Sequence, residues 1–150
     1  MKTRIPPPVI LLIFGVAMWG VSRDATIYLF TLPQPLLISV LVATLGFAVA
    51  TAGLRQFSRA QTTVNPHKVA DASALVTDGI YRYTRNPMYV GLFLVLLAWT
   101  LWLGVIANVV LLMLFVVAIN ELQIKPEETA LTALFGDEYR AYCSRVRRRV

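Results

Sequence analysis

The chain has 150 residues, of which 57% are hydrophobic and 15% are charged, and its mean hydropathy is +0.66. A soluble domain would carry nearer a quarter charged residues, so this composition excludes a soluble globular enzyme and a disordered chain. The single cysteine, Cys143, cannot form an intrachain disulfide, which excludes a disulfide-stabilised scaffold.

The first predicted element is an apolar span at residues 8–21, whose N-terminal proline is tolerated in a first helical turn. A signal peptide is the alternative interpretation, because Lys2 and Arg4 precede a short apolar stretch. No small-residue cleavage site follows before Arg23, which favours a retained span. A second span is predicted at 35–53, within a stretch that carries no charge.

The third and fourth predicted spans come from one uncharged apolar run, Met88–Ile119. A single helix of that length would extend for ~48 Å, well beyond the ~30 Å hydrocarbon core of a bilayer. Trp99 and Trp102 favour the membrane interface, and Gly104 permits a tight turn. The sequence therefore predicts a helical hairpin with arms at 88–103 and 105–120.

Basic residues predict the orientation of this four-span bundle. Thirteen of the 14 Lys and Arg residues lie in the N-terminus, in the loop 54–86 or in the C-terminal segment 121–150, and only Arg23 lies on the opposite side. The positive-inside rule places the thirteen, and both termini, in the cytosol. We therefore expect a multi-pass protein of a bacterial or archaeal cytoplasmic membrane, with its chemistry on the cytosolic side. Topology and contact with anionic membrane lipids account for the net charge of +6, so no nucleic-acid partner is predicted.

The central loop ends in a segment rich in tyrosine and arginine, directly before the third span. Asp78-Gly79 predicts a turn, and Asn86 is a candidate N-cap for a helix that begins at Pro87. The backbone N–H groups of such a helix start can hold an anionic ligand. Alternatively, the tyrosines and arginines only anchor the chain to lipid headgroups.

The C-terminal segment begins with Pro126, Glu127 and Glu128, as a helix N-terminus does, and that feature alone requires no ligand. A carboxylate at the mouth of an apolar bundle is costly unless it is paired, so either acid is a site candidate. An amphipathic helix is predicted to follow, broken at Gly136-Asp137 and packed on the membrane or on the hairpin. Its apolar stripe contains Leu131, Leu134, Phe135, Tyr139 and Tyr142.

Metal chemistry is not predicted. His67 is the only histidine and lies in a polar stretch without any Cys/His ligand spacing, so we interpret it as a surface residue. The sequence also has no phosphate-binding loop and no dinucleotide fingerprint.

Three features in this order carry a resemblance to a known family. They are Leu75-Val76-x-x-Gly79-x-Tyr81 with Arg85-Asn86-Pro87-x-Tyr89-x-Gly91, then the hairpin-length apolar spacer, then Glu127-Glu128-x-x-Leu131 running into Phe135-Gly136-x-x-Tyr139-x-x-Tyr142. Over residues 62–146 the chain resembles the isoprenylcysteine carboxyl methyltransferase and phospholipid methyltransferase family of integral membrane enzymes. The first two spans match only as apolar helices.

The resemblance implies one all-α membrane methyltransferase-like domain over residues 1–150, with a helical bundle and a cytosolic C-terminal helix. It implies S-adenosylmethionine-dependent methyl transfer to a small or lipid-borne acceptor at the cytosolic surface. The cofactor contacts that it implies are Leu75, Val76, Tyr81, Arg85, Asn86, Pro87, Met88, Tyr89 and Glu127, and they extend to Ser73 and Ala74.

Two departures from the family pattern bear on the chemistry. Asn86 stands where the family usually has His, so a titratable imidazole is not essential here. Gln123 stands where the prenylcysteine enzymes have an Arg implicated with the substrate carboxylate, which counts against such a substrate. Two alternatives remain: an NADPH-dependent reductase on a sterol-reductase-like scaffold, and a non-catalytic membrane protein. The acceptor and the oligomeric state are not predicted.

Overall fold

A computed structural model describes residues 5–24, 32–59 and 74–149, and this part of the chain is helical, without strands. The prediction of an all-α fold is confirmed for these residues. The five α-helices are α1 (Pro7–Asp24), α2 (Pro35–Arg59), α3 (Pro87–Leu103), α4 (Ala107–Ile119) and α5 (Lys125–Arg145). A short 3-10 helix, Gly79–Arg82, precedes α3.

The first four helices coincide with the four predicted spans, and α1, α2 and α3 all begin at a proline. Of the described helices, two helical runs are long and apolar enough to cross a membrane: Pro35–Gln56, and the run that begins with α4 and ends at Arg145. The apolar helices α1 and α3 are shorter. Passage of all four through a bilayer therefore stays a prediction.

The predicted break between the third and fourth helices lies at Gly104. Its φ of 65° is left-handed, and its N–H donates to the carbonyl of Thr100 at 3.0 Å, which ends α3. A glycine adopts this conformation without steric cost. The prediction of a turn at this glycine is confirmed.

Helices α2 and α3 approach each other closely through glycines. A Cβ on Gly91 would lie 2.6 Å from the Cβ of Ala50 and 2.6 Å from the carbonyl oxygen of Gly46. Further along α2, Gly53 faces Pro87 and Met88 at the start of α3. Small residues let the two backbones pack tightly, and this contact fixes where α3 begins.

A buried apolar core joins α1, α3 and α4. Its buried members are Ile10, Met18, Tyr89, Leu96, Leu112, Phe115, Ile119 and Ile124. Polar contacts also tie α1 to the other helices: the indole N–H of Trp99 donates to the Gly15 carbonyl at 3.1 Å, and Asn108 donates to Ser22 at 2.9 Å. Hydrogen bonds of this kind between helices are most effective where water is absent.

The backbone between α4 and α5 is helical throughout, so the predicted C-terminal helix continues directly from the hairpin. A π-helical segment, Asn120–Ile124, joins the two helices and is called the π turn below. Pro126 lies in the first turn of α5, where its missing N–H removes one hydrogen bond that a regular helix would need. The predicted break at Gly136 is confirmed by its non-helical φ of 50° and ψ of −118°.

Candidate active site

The two polar segments singled out by the sequence meet in space. The hydroxyl of Tyr89, in the first turn of α3, donates to Oε1 of Glu127, in the first turn of α5, at 2.5 Å. Tyr89 is only 2% exposed, so this bond joins a buried ring to the helix after the π turn. A buried phenol and a carboxylate 38 residues apart in sequence therefore form the centre of a candidate site.

The elbow (residues 74–89) places a second tyrosine beside this pair. The predicted turn at Gly79 is present, with a φ of 60° and the side chain of Gln56 packed directly against the glycine. Tyr81 follows in the 3-10 helix and is buried. Burial, and then the nearby Tyr142 and Glu127, raise the pKa of the Tyr81 hydroxyl, so it stays neutral at physiological pH.

Two further tyrosines, Tyr139 and Tyr142, lie on α5 and pack with Val146 against the elbow residue Leu75. The Tyr142 hydroxyl donates to the backbone carbonyl of Tyr81 at 2.7 Å. Burial raises the pKa of Tyr142 to about 12 and also raises the pKa of Tyr139, where a bond to Cys143 adds to the effect. The phenols are therefore hydrogen-bond donors at neutral pH and not bases.

The contacts of this tyrosine cluster show that part of the predicted amphipathic stripe is wrong. Leu131 and Phe135 pack against the cluster as the spacing implied, but Leu134 is 43% exposed. Five residues of a regular helix rotate a side chain by about 140°, so Leu134 and Tyr139 lie at opposite edges of the predicted stripe, and Gly136 breaks the helix between them. The buried part of the stripe packs against Leu75 of the elbow, and packing on the membrane stays a prediction.

Arg85 and Asn86 present buried hydrogen-bond donors next to Tyr89. Nε of Arg85 and Nδ2 of Asn86 are buried and have no hydrogen-bond partner among the described residues. Asn86 is the N-cap of α3 by position, but its side chain makes no capping bond, so the prediction of a side-chain cap is wrong. Two unpaired buried donors in succession are costly unless a ligand accepts from them.

The adjacent acids Glu127 and Glu128 point to different partners. Oε1 of Glu128 lies 3.3 Å from Nη1 of Arg85, and Oε2 of Glu128 lies 3.1 Å from Nη1 of Arg148. Nη1 of Arg85 also donates to Sγ of Cys143. Burial alone would lower the pKa of Arg85, but Cys143 and Glu128 raise it overall, so the guanidinium stays charged. The structure thus assigns Glu128 to an ion-pair network and Glu127 to Tyr89.

Gln123 lies on the π turn and is fully buried. Its Nε2 donates to the backbone carbonyl of Ile5 at 2.6 Å, and its Oε1 is buried without a hydrogen-bond partner in the described part of the chain. The side chain therefore ties the π turn to the start of α1. The spacing from Glu127 did not indicate this contact, since the partner is a backbone carbonyl 118 residues away.

The other predicted site residues lie around the elbow. Pro87 is buried, Met88 and Val76 are half-buried, and Ala74 is exposed. Ser73 and His67 lie outside the described residues. Within the described ranges no group of three or more His, Cys, Asp or Glu residues is placed to hold a metal ion. Sequence reasoning missed Cys143 as a partner of Arg85 and Arg148 as a partner of Glu128, because a lone cysteine and a tail arginine carry no signal of their own.

Comparison with known proteins identifies the chain. The sequence pattern of phospholipid methyltransferases matches residues 35–138, which is more than half of the chain. The chain belongs to the phospholipid methyltransferase family. The resemblance recognised from the sequence is thereby confirmed, and the family pattern begins earlier than expected, at the first residue of α2.

Two relatives illustrate the range of this family. An uncharacterised protein from Haemophilus influenzae is 52% identical over 61 residues, which are 41% of this chain and 97% of that protein. The protein-S-isoprenylcysteine O-methyltransferase of Schizosaccharomyces pombe is 40% identical over 72 residues, which are 48% of this chain and 30% of the enzyme. The chain thus spans less than a third of that enzyme. No solved structure matches the chain.

The family match includes the candidate site. Residues 35–138 contain the α2–α3 contact, the elbow and the first turn of α5, and therefore both Tyr89 and Glu127. Helix α1 and Arg148 lie outside it. Membership of this family supports methyl transfer as the chemistry of the chain.

Proposed function

We propose that the protein transfers a methyl group from S-adenosylmethionine to a small or lipid-borne acceptor at the cytosolic surface of a membrane. The observation that carries this proposal is the bond between Tyr89 and Glu127, which closes the elbow against α5. The family's cofactor positions fall on both sides of that bond. A non-catalytic bundle would not need two unpaired buried donors beside it.

The side chains around the bond fit the chemical groups of this cofactor. Its carboxylate requires hydrogen-bond donors, and Nε of Arg85 and Nδ2 of Asn86 are buried donors at the start of a helix. Its ammonium and sulfonium groups require negative charge, which Glu127 supplies. Leu75, Val76, Pro87 and Met88 supply apolar contact for the rest of the molecule.

In this proposal the residues of the site bind and orient the cofactor, and none of them transfers a proton. When bound, S-adenosylmethionine supplies an electrophilic methyl group on a sulfonium. Asn86 is not titratable, and burial keeps the hydroxyl of Tyr81 protonated. We assign no general base, so the acceptor must arrive as a carboxylate, a thiolate or a free amine. Positioning and exclusion of water then account for the rate.

The contacts of Gln123 bear on which acceptor the site takes. One N–H of its Nε2 is engaged by the Ile5 carbonyl, and the neutral amide brings no positive charge to the site. An acceptor carboxylate would lack the charged, two-pronged partner that an arginine provides. Among the possible acceptors, we therefore favour an amine or a thiolate over a carboxylate.

Calorimetry in detergent tests the proposal directly. We expect S-adenosylmethionine and its demethylated product to release heat on binding to the folded protein, while NADPH does not. Binding of NADPH alone would favour the reductase alternative, and binding of neither would favour a non-catalytic protein. Labelled methyl transfer into lipid and thiol extracts would then identify the acceptor class.

A further inference from the structure

A single tail arginine joins the first residue of the π turn to the first turn of α5. Nη1 of Arg148 donates to Oδ1 of Asn120 at 3.2 Å and to Oε2 of Glu128 at 3.1 Å. Asn120 is the first residue of the π turn, and Glu128 lies in the first turn of α5. One guanidinium group therefore spans the irregular segment between α4 and α5.

The segment that Arg148 spans departs from regular α-helical hydrogen bonding. A π turn lacks the regular hydrogen-bond register of an α-helix, and Pro126 removes one further N–H donor just after it. Because successive residues of an α-helix are rotated by about 100°, a slip of one residue would turn Glu127 away from α3. The bond between Glu127 and Tyr89 thus depends on the register of the π turn.

The tail is also held just before this contact, and so is the acid that Arg148 binds. Val146 is 8% exposed and packs with Tyr139 and Tyr142, which brings the chain back over α5. Glu128 is also paired with Arg85 of the elbow. The tail, the π turn and the elbow therefore converge on Glu128.

We propose that Arg148 is a positioning residue that clamps the π turn and so holds Glu127 against Tyr89. This inference rests on the proposed function in one respect: it uses the affinity for the cofactor as a measure of whether Glu127 is held in position. The clamp itself is a property of the fold. The tail lies on α5 through Arg148, and not only on lipid headgroups as its charge alone would imply.

The chain offers a matched control for the test. Arg147 is exposed, carries the same charge in the same tail, and forms no ion pair with the described residues. Arg148→Ala and Arg147→Ala would each be compared with the intact protein in detergent. The first measurement is hydrogen exchange of the backbone amides of residues 120–128, made without ligand. The second is the affinity for S-adenosylhomocysteine, measured by calorimetry.

We expect Arg148→Ala to speed exchange across residues 120–128 and to weaken S-adenosylhomocysteine binding about fivefold. Arg147→Ala should change neither quantity. Arg148→Lys should restore most of both, because an ammonium has three donors and can bridge the same two oxygens. Rescue by lysine would not occur if alanine merely disturbed the packing of the tail.

Two outcomes separate the clamp from the proposed function. Equal exchange in Arg148→Ala and Arg147→Ala would overturn the clamp, even where the intact protein binds the nucleoside. Absence of binding by the intact protein would overturn the proposed function, while the exchange comparison would still decide on the clamp. Asn120→Ala removes one of the two oxygens that accept from Arg148, so it should also speed amide exchange, but by less than Arg148→Ala. If Arg148→Ala does not fold, Asn120→Ala takes its place in the comparison.

Discussion

Replacing Glu127 by Gln tests the role of its negative charge while the size of the side chain stays nearly the same. The amide keeps the length of the side chain and an oxygen that can accept from Tyr89, but it removes the negative charge beside the proposed cofactor site. A hydrogen bond to a charged group contributes about 1.5–3 kcal/mol, against about 1 kcal/mol for a neutral one. The difference of about 0.5–2 kcal/mol predicts that loss of the charge weakens cofactor binding by about two- to thirtyfold.

Glu128→Gln is the matched control, since it removes the same charge one residue further along. Glu128 is paired with Arg85 and Arg148, so its loss should act mainly through the ion-pair network. We expect a lower melting temperature and a smaller loss of affinity than for Glu127→Gln. Calorimetry of S-adenosylhomocysteine binding to both variants measures the difference. Equal losses in the two variants would refute the assignment of Glu127 to the cofactor.

The remaining predictions concern the buried hydroxyl, the helix contact and pH. Tyr89→Phe removes the hydroxyl that donates to Glu127. It should weaken S-adenosylhomocysteine binding by less than Glu127→Gln does, because the carboxylate keeps its charge. A larger loss would mean that the hydroxyl itself contacts the ligand. Gly91→Ala places a Cβ 2.6 Å from that of Ala50 and should lower stability by about 1–3 kcal/mol in detergent melts. Gly15→Ala is the control, because its Cβ would meet nothing within 4 Å in the described structure, and it should leave the melting temperature unchanged. Equal melting temperatures for Gly91→Ala and Gly15→Ala would contradict the close approach of α2 and α3. Burial raises the pKa of Tyr142 from 10.0 to about 12, so the stability it contributes is complete below pH 10 and is lost as the pH rises towards 12. Melting temperatures should show no tyrosine-dependent fall between pH 7 and about pH 9, and an earlier fall that Tyr142→Phe abolishes would contradict this assignment.

Much of the fold could be predicted because its signals are local. Helix starts at Pro35 and Pro87, the turn at Gly104 and the break at Gly136 each depend on the backbone freedom of one residue. The join between α4 and α5 could not be predicted in this way. Pro126 usually marks the first turn of a new helix, and the structure instead places a π turn before it.

The candidate site, too, was predictable where its signals are local and not where it depends on contacts between distant residues. The order of motifs pointed to Tyr89 and Glu127 as candidate site residues. Composition and helix position alone left Glu127 and Glu128 equivalent as acids in one helical turn, and only the resemblance to the family favoured Glu127. The structure gives the physical difference between them: Glu127 accepts from Tyr89, whereas Glu128 pairs with Arg85 and Arg148, and none of these partners is a neighbour in the sequence. Asn86 is the N-cap of α3 by position, as its place before Pro87 predicts, but its side chain makes no capping bond, which the local sequence did not indicate.

By itself, the sequence determined the class of this protein: an apolar helical chain with two polar segments that carry the pattern of a methyltransferase family. Hydropathy, proline and glycine positions and motif order are properties of short stretches, so they can be read without coordinates. The tertiary structure decided that Tyr89 binds Glu127, that Glu128 joins Arg85 to Arg148, and that Gln123 holds the start of α1. These contacts depend on the crossing of helices and on the register of one π turn, and distance in space is not encoded by distance along the chain.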